Sequence, residues 1–238
     1  MMKPEIWKTR HSSVASREPG TGTMRRRADG IARVAAGTLL AFALAGCAVL
    51  GSGERQRSTI YSPDPRVAVD PSAPSVSWQL TLAPPMAARA VDNFRIAVRP
   101  SPEEMQVYRG ASWARTPTDM LQDALLHALE DSGKIPAVAR QGSGAAADYK
   151  LVIDLRRFEA DYAGNAVPAA TIEFNAKLIH TRDQGIVASR TFRQARPATG
   201  TDIALVVDAF SRGLEAVTGE LATWILVTGD THQRSAQR

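Results

Sequence analysis

The chain has 238 residues, 44% of them hydrophobic, a single cysteine and a formal net charge of +5. Divided after Gly46, residues 1–46 carry 8 Lys+Arg against 3 Asp+Glu, while residues 47–238 carry 21 of each, so the positive balance belongs to the leader. This excludes a nucleic-acid binder, which keeps a basic patch in its folded part, and a disulfide-stapled domain, since one cysteine closes no bridge within a chain.

The leader reads in three parts. Arg25, Arg26, Arg27 and Arg33 form a basic cluster, Val34 to Ala45 is an uncharged and mostly apolar run, and Leu44-Ala45-Gly46-Cys47 closes it. A positive region, a short apolar region and small residues at a cut describe a secretory signal. A cysteine directly after Leu-Ala-Gly is similar to a bacterial lipoprotein signal, cut after Gly46, with the Cys47 thiol acylated. A signal of forty-six residues is long, so translation is expected to start at Met24. Twelve apolar residues fall short of the ~20 needed to span a bilayer. The arginine pair is not closely followed by an apolar pair, which argues against a twin-arginine signal. Two or more acyl chains anchor stably; in enterobacterial lipoproteins an aspartate after the cysteine favours inner-membrane retention, so the resemblance, with Ala48 at that position, implies the periplasmic face of the outer membrane.

Residues 47–75 are rich in Gly, Ser, Pro and charge, as in Gly51-Ser52-Gly53 and Pro63-Asp64-Pro65, and are expected to form a flexible lipidated tether. The folded domain is expected over 76–228. Val76, Trp78, Leu80 and Leu82 alternate with polar residues, and Phe94, Ile96 and Val98 repeat the pattern, giving two strands. Residues 100–115 are expected to be irregular, with Val107, Tyr108 and Trp113 touching the core. Thr116, Pro117 and Asp119 signal a helix start, apolar residues from Met120 to Leu129 follow at helical spacing, and Gly133 is the stop. Ile135–Val138 is a short strand and 141–147 a loop. Tyr149–Leu155 alternates strongly, with Phe158 as an extension. Ala170–Leu178 and Ile186–Gln194, joined by Asp183-Gln184-Gly185, read as a hairpin. Thr201-Asp202 opens a last helix to about Val227, followed by a disordered tail, 229–238. The order predicts an α+β fold: a mixed, largely antiparallel sheet with two helices packed on one face, behind a flexible lipidated tether.

Candidate chemistry is thin. Gly142-Ser143-Gly144 lacks the Gly-Lys-Ser/Thr of a phosphate loop and the strand-turn-helix setting of a nucleophile elbow. Asp119, Asp123 and His127 share a helix face, but a first-turn acid serves the helix dipole and Asp123–His127 is an ordinary i,i+4 pair. Glu103 and Glu104 read as a solvated loop. Glu159, Asp161 and Tyr162 are placed beyond a strand end with nothing to bury them. Arg156 and Arg157 alternate faces on a strand, and His11, His127, His180 and His232 form no cluster. With no convergent nucleophile, base and electrophile, an enzyme is not expected, nor a metal or cofactor. Tyr108, Arg109 and Trp113 are the candidate partner-binding residues, because Trp, Tyr and Arg dominate interface hot spots.

The lipobox, Trp78-Gln79-Leu80, Arg95-Ile96-Ala97-Val98, Trp113-Ala114-Arg115-Thr116-Pro117 and Met120-Leu121-Gln122-Asp123-Ala124-Leu125, followed by Leu129 and Ser132-Gly133, come in an order that resembles the ABC-type transport auxiliary lipoproteins, which include the paraquat-inducible C-type lipoproteins. The long alternating strand and the C-terminal amphipathic helix complete the likeness over roughly residues 44–227. The resemblance implies a non-catalytic partner of an MCE-domain protein with an ABC permease and ATPase. That assembly moves phospholipid or other apolar compounds across the envelope, and the lipoprotein would dock it at the outer membrane, with a homo-oligomeric ring as one arrangement. Two other readings stand beside it: a free-standing periplasmic lipid carrier with a pocket between sheet and helices, and a subunit of another envelope machine such as lipopolysaccharide export.

Overall fold

The computed structural model describes residues 58–238. The expectations on Met24, Gly46, Cys47 and the first part of the tether lie outside the described residues. The elements are β1 (Thr59–Tyr61), β2 (Leu80–Leu82), β3 (Met86–Ala87), β4 (Arg95–Ser101), β5 (Glu104–Trp113), α1 (Pro117–Ser132), β6 (Val138–Arg140), β7 (Tyr149–Asp161), β8 (Ala169–His180), β9 (Ile186–Pro197) and α2 (Ile203–Ala236). Among these, no helix is long and apolar enough to cross a membrane.

The long strand β7 organises one nine-stranded sheet. Along one edge it pairs antiparallel with β8, which pairs antiparallel with β9. Along the other edge β2, β3 and β4 follow one another, each parallel to a successive piece of β7. β6 pairs beyond β2, and β5 and then β1 beyond β4. The long ladders are therefore antiparallel and the short ones parallel. α2 packs on β8 and β9, and α1 packs on α2, which gives the expected α+β arrangement.

β7 changes phase once. Leu155 faces Phe174 but Arg157 faces Glu173, leaving Arg156 as an extra residue. Such a bulge moves the inward set by one position. Tyr149, Leu151, Ile153 and Leu155 are buried before it, and Phe158 and Ala160 after it.

α1 starts and stops where its signals lie. Thr116 is extended and its hydroxyl accepts from the Asp119 N–H at 3.4 Å, Pro117 fills the first turn, and Gly133 takes the left-handed conformation at φ 63°. Without a Cβ, glycine holds that conformation at no steric penalty.

Four expectations are corrected. The segment 100–115 is mostly the strand β5, not irregular. It pairs with β4 at Arg95↔Ser112 and then at Ala97↔Val107, so residues 108–111 stand opposite Ile96 alone, with Gly110 at φ 68°. That insertion erases the period a strand would show. Phe94, expected inside, is exposed. The tether does not run to residue 75: β1 is laddered to β5, and 63–73 form a strap over the helices. Pro63 and Ala73 are buried and Val67 and Val69 pack on the core. Its backbone is held by side chains instead of a ladder, with the Lys134 ammonium donating to the Pro71 and Ala73 carbonyls at 3.0 and 2.6 Å. Lastly, residues 229–236 are helical, not a disordered tail. The Tyr149 hydroxyl lies 2.8 Å from His232 Nδ1, Ser77 meets Gln233, and Gly229 lies against Trp78.

Gly229 makes that last contact possible. A Cβ there would stand 2.4 Å from Cζ2 of the buried Trp78. Gly229→Ala is expected to lower the denaturant midpoint, because overpacking costs about 1–3 kcal/mol against about 1 kcal/mol gained in helix propensity. An unchanged or raised midpoint would show that α2 ends before this turn.

Candidate functional site

The three partner-contact candidates on β5 part company in the fold. Trp113 is 2% exposed and belongs to the core, where it meets Phe158 and Phe210 edge-on at 5.9 and 5.2 Å while those two rings stack at 4.9 Å. Its indole N–H finds no acceptor. Trp113 is therefore not a contact residue: its position at the end of β5 aims it under α2. Tyr108 is half-buried, and burial first, then the neighbouring Tyr162, push its phenol well above the ordinary tyrosine range. Arg109 is exposed.

Where β4 meets β7 lies an ion network that local spacing concealed. Glu159 is 1% exposed. Its carboxylate accepts from Arg99 Nε and Nη2 at 2.8 and 3.0 Å and from Arg157 Nε at 2.6 Å. Arg157 also donates to Asp161 at 2.6 Å, and Arg99 to the Pro102 carbonyl at 2.8 Å. The hydrogen bond to Glu159 holds the Arg99 guanidinium above its ordinary pKa. Burial works against the charge of Arg157, yet its bonds to Glu159 and Asp161 carry it upward as well. Glu159 and Asp161 thus lie within β7, not beyond its end, and are covered by two arginines. The alternation of charges at 157, 159 and 161 was the available signal; Arg99 sits 60 residues away. Every charge here is neutralised by a neighbour, so the network fastens β4 to β7 and leaves no free acid or base.

The remaining candidates are occupied or exposed. Asp119 donates its N–H to the α1 cap, Asp123 bridges Arg115 and Arg140, and His127 is exposed. Among the described residues no three His, Cys, Asp or Glu side chains are grouped to hold a metal. Gly142-Ser143-Gly144 is a turn with Gly142 and Gly144 at positive φ, and Glu103 and Glu104 are exposed. One expectation on histidines is corrected: the rings of His180 and His232 lie 5.2 Å apart, each packed against Tyr149. They meet because α2 runs past Val227. His180 also pairs with Asp183 at 3.0 Å.

Side chains fill the space between sheet and helices. Ile172, Phe174, Phe192, Phe210, Val217 and Leu221 are all essentially inaccessible. Two open grooves lie on the surface. One, of about 710 Å³, runs between the strap and α2, with Val69, Trp224 and Val227 on its walls and the Arg190–Glu220 pair at its side. The other, of about 670 Å³, is bounded by Phe94, Arg95, Met105 and Val107.

Comparison with known proteins agrees with this geometry. The chain is 56% identical to protein XCC0632 from Xanthomonas campestris, whose crystal structure it matches with a TM-score of 0.72 over 74% of this chain and 99% of that one. An uncharacterized protein of known structure, 14% identical, shares the fold with a TM-score of 0.56 over 71% of this chain and 99% of its own. A curated relative, the uncharacterized protein bll6063 of Bradyrhizobium diazoefficiens, is 24% identical over 157 residues; the match takes in 66% of this chain and 42% of the relative's length. Residues 59–222 match the family described as ABC-type transport auxiliary lipoprotein component. That span runs from β1 through the sheet and most of α2, and the chain belongs to this family.

Proposed function

We propose that the protein is the non-catalytic lipoprotein of an MCE-type ABC transport system that moves lipids or other apolar compounds across the envelope. In this reading it is acylated at Cys47, held at the periplasmic face of the outer membrane, and docks the transport complex there. The observation that carries the proposal is the family match over residues 59–222 behind Leu44-Ala45-Gly46-Cys47. The filled interface between sheet and helices supports docking over carriage, since a carrier encloses most of its ligand's surface.

Crosslinking in native envelopes, followed by capture of the tagged lipoprotein and mass spectrometry, tests the role. Recovery of an MCE-domain protein with its permease and ATPase is the expected result. Recovery of the lipoprotein alone with lipid would replace docking by carriage. Of the β5 trio, Arg109 is the residue free to meet a partner protein. Arg109→Glu is expected to reduce capture of that partner by about tenfold, the effect of ~1.4 kcal/mol at a contact arginine, with an unchanged melting temperature. Equal capture would remove Arg109 from the interface.

A further inference from the structure

Nine large hydrophobic residues are exposed among the described residues, and four of them belong to one leaf of the sheet or its border: Ile60 on β1, Phe94 just before β4, and Met105 and Val107 on β5. Their exposures are 68, 55, 38 and 40%. Ile60 and Arg95 both register with Ser112, from opposite sides of β5, so the first and second strands of the leaf frame the third. The Trp113 N–H donates to the Phe94 carbonyl at 2.7 Å and fixes the backbone under that ring. Phe94, Met105 and Val107 then border one open groove, with Arg95 on its wall. Exposed apolar residues gathered at one place, unlike singly scattered ones, mark an interaction site.

The chain itself supplies a candidate. Only twelve positions separate Cys47 from Thr59, where β1 enters the leaf. Twelve residues reach at most roughly 40 Å when extended, and about 20 Å as a flexible coil. β1 is the stretch of the folded domain closest along the chain to the acyl anchor. For a surface held at that distance, contact with the bilayer is an intramolecular event, and a weak patch is enough. The chemistry fits an interface. Phe and Met supply depth, and Arg95 at the groove wall suits phosphate, which planar guanidinium groups bind well. The acidic pair Glu103 and Glu104 lies at the hairpin turn beside Met105, while Arg95 lies at the opposite end of the β4–β5 hairpin beside Phe94, so it is the Phe94–Arg95 end that suits an anionic surface.

We infer that the β1–β5–β4 leaf rests on the membrane that holds the lipid anchor, with Phe94, Met105 and Val107 inserted at the level of the headgroups and Arg95 paired to phosphate. This rests on acylation at Cys47. It gives the domain a defined attitude: the leaf faces the bilayer, while Lys177, exposed on β8, registers with Val152, seven residues along β7 from Glu159 where the leaf is joined.

The sole native cysteine makes the test direct, because an acylated Cys47 leaves an introduced thiol as the only one to label. Full-length acylated Phe94→Cys, Met105→Cys and Lys177→Cys variants, each carrying an environment-sensitive fluorophore, are placed in vesicles of zwitterionic and anionic phospholipid containing acyl-chain quenchers. Flotation reports the anchor, and quenching reports the leaf. The expected result is flotation of all three, with the labels at 94 and 105 quenched roughly twofold or more beyond that at 177, as for groups seated at the acyl boundary. Flotation with equal quenching at the three positions overturns the inference and leaves the anchor standing. A protein that does not float refutes the anchor and, with it, the inference. Shielding at 94 and 105 that arises only when envelope proteins are added would also overturn it, in favour of a protein contact.

Discussion

Replacing Glu159 with alanine is expected to lower stability by about 3–5 kcal/mol, the usual effect of removing one partner of a buried ion pair. Two guanidiniums converge on this carboxylate, which is 1% exposed. After the substitution Arg157 keeps Asp161, and Arg99 keeps only the Pro102 carbonyl. Both arginines retain some contact with solvent, so the lower end of the range is expected. The damage should be local. Glu159 registers with Ala97 on β4, so the β4–β5–β1 leaf loses its fastening to β7 while β7–β8–β9 keeps its ladders. Hydrogen exchange should rise first in residues 95–113. Uniform exchange across the sheet, or a loss under 1 kcal/mol, would show that the backbone ladder alone holds the leaf. Alkaline pH offers no way to loosen this lock. Arginines whose folded-state pKa is raised contribute stability that is fully present below their unfolded value, which already lies above the ordinary alkaline range.

Trp113→Ala should be as severe, at about 3–5 kcal/mol for a large aromatic removed from a packed core. The ring lies edge-on to both members of the Phe158–Phe210 stack, so it joins β5 to β7 and to α2. Its indole nitrogen has no partner to lose. Trp113→Phe should therefore be much milder than the alanine variant, since the replacement forfeits volume but no hydrogen bond. Chemical denaturation of the two variants is the measurement. A folded Trp113→Ala protein of normal stability that fails to capture its partner would return this residue to the surface role expected from the sequence.

The contrast between Trp113 and Arg109 shows where sequence reading reaches its limit. Aromatic, cation and small residues over 108–113 resemble an interface hot spot, and the same composition suits a strand that is buried at one end and exposed at the other. Which of these holds depends on residues far away: Arg95 and Ala97 across the hairpin, Tyr61 on the parallel side, Phe210 from α2. The insertion at 108–111 removes the period that would have revealed the strand. The strap was missed for a related reason. Pro-rich segments satisfy their backbone through side chains such as Lys134 and Thr223, which leave no periodic trace.

Features encoded at short range are legible in the residues themselves. The α1 boundaries follow from Thr116, Pro117 and Gly133; β8 and β9 follow from their alternation and the Asp183-Gln184-Gly185 turn; the amphipathic stripe of α2 follows from its spacing; and the family order was legible in patterned apolar residues. Long-range packing is what places β2, β3 and β4 along one edge of β7, buries Glu159 between arginines from two strands, brings His180 to His232, and sets four of the exposed hydrophobics on one leaf. Caps, turns and periodicity are enforced by neighbours within a few residues, so the chain states them directly. Parallel pairing and buried charge pairs join positions tens of residues apart, and they are favourable only once packing has excluded water around both partners.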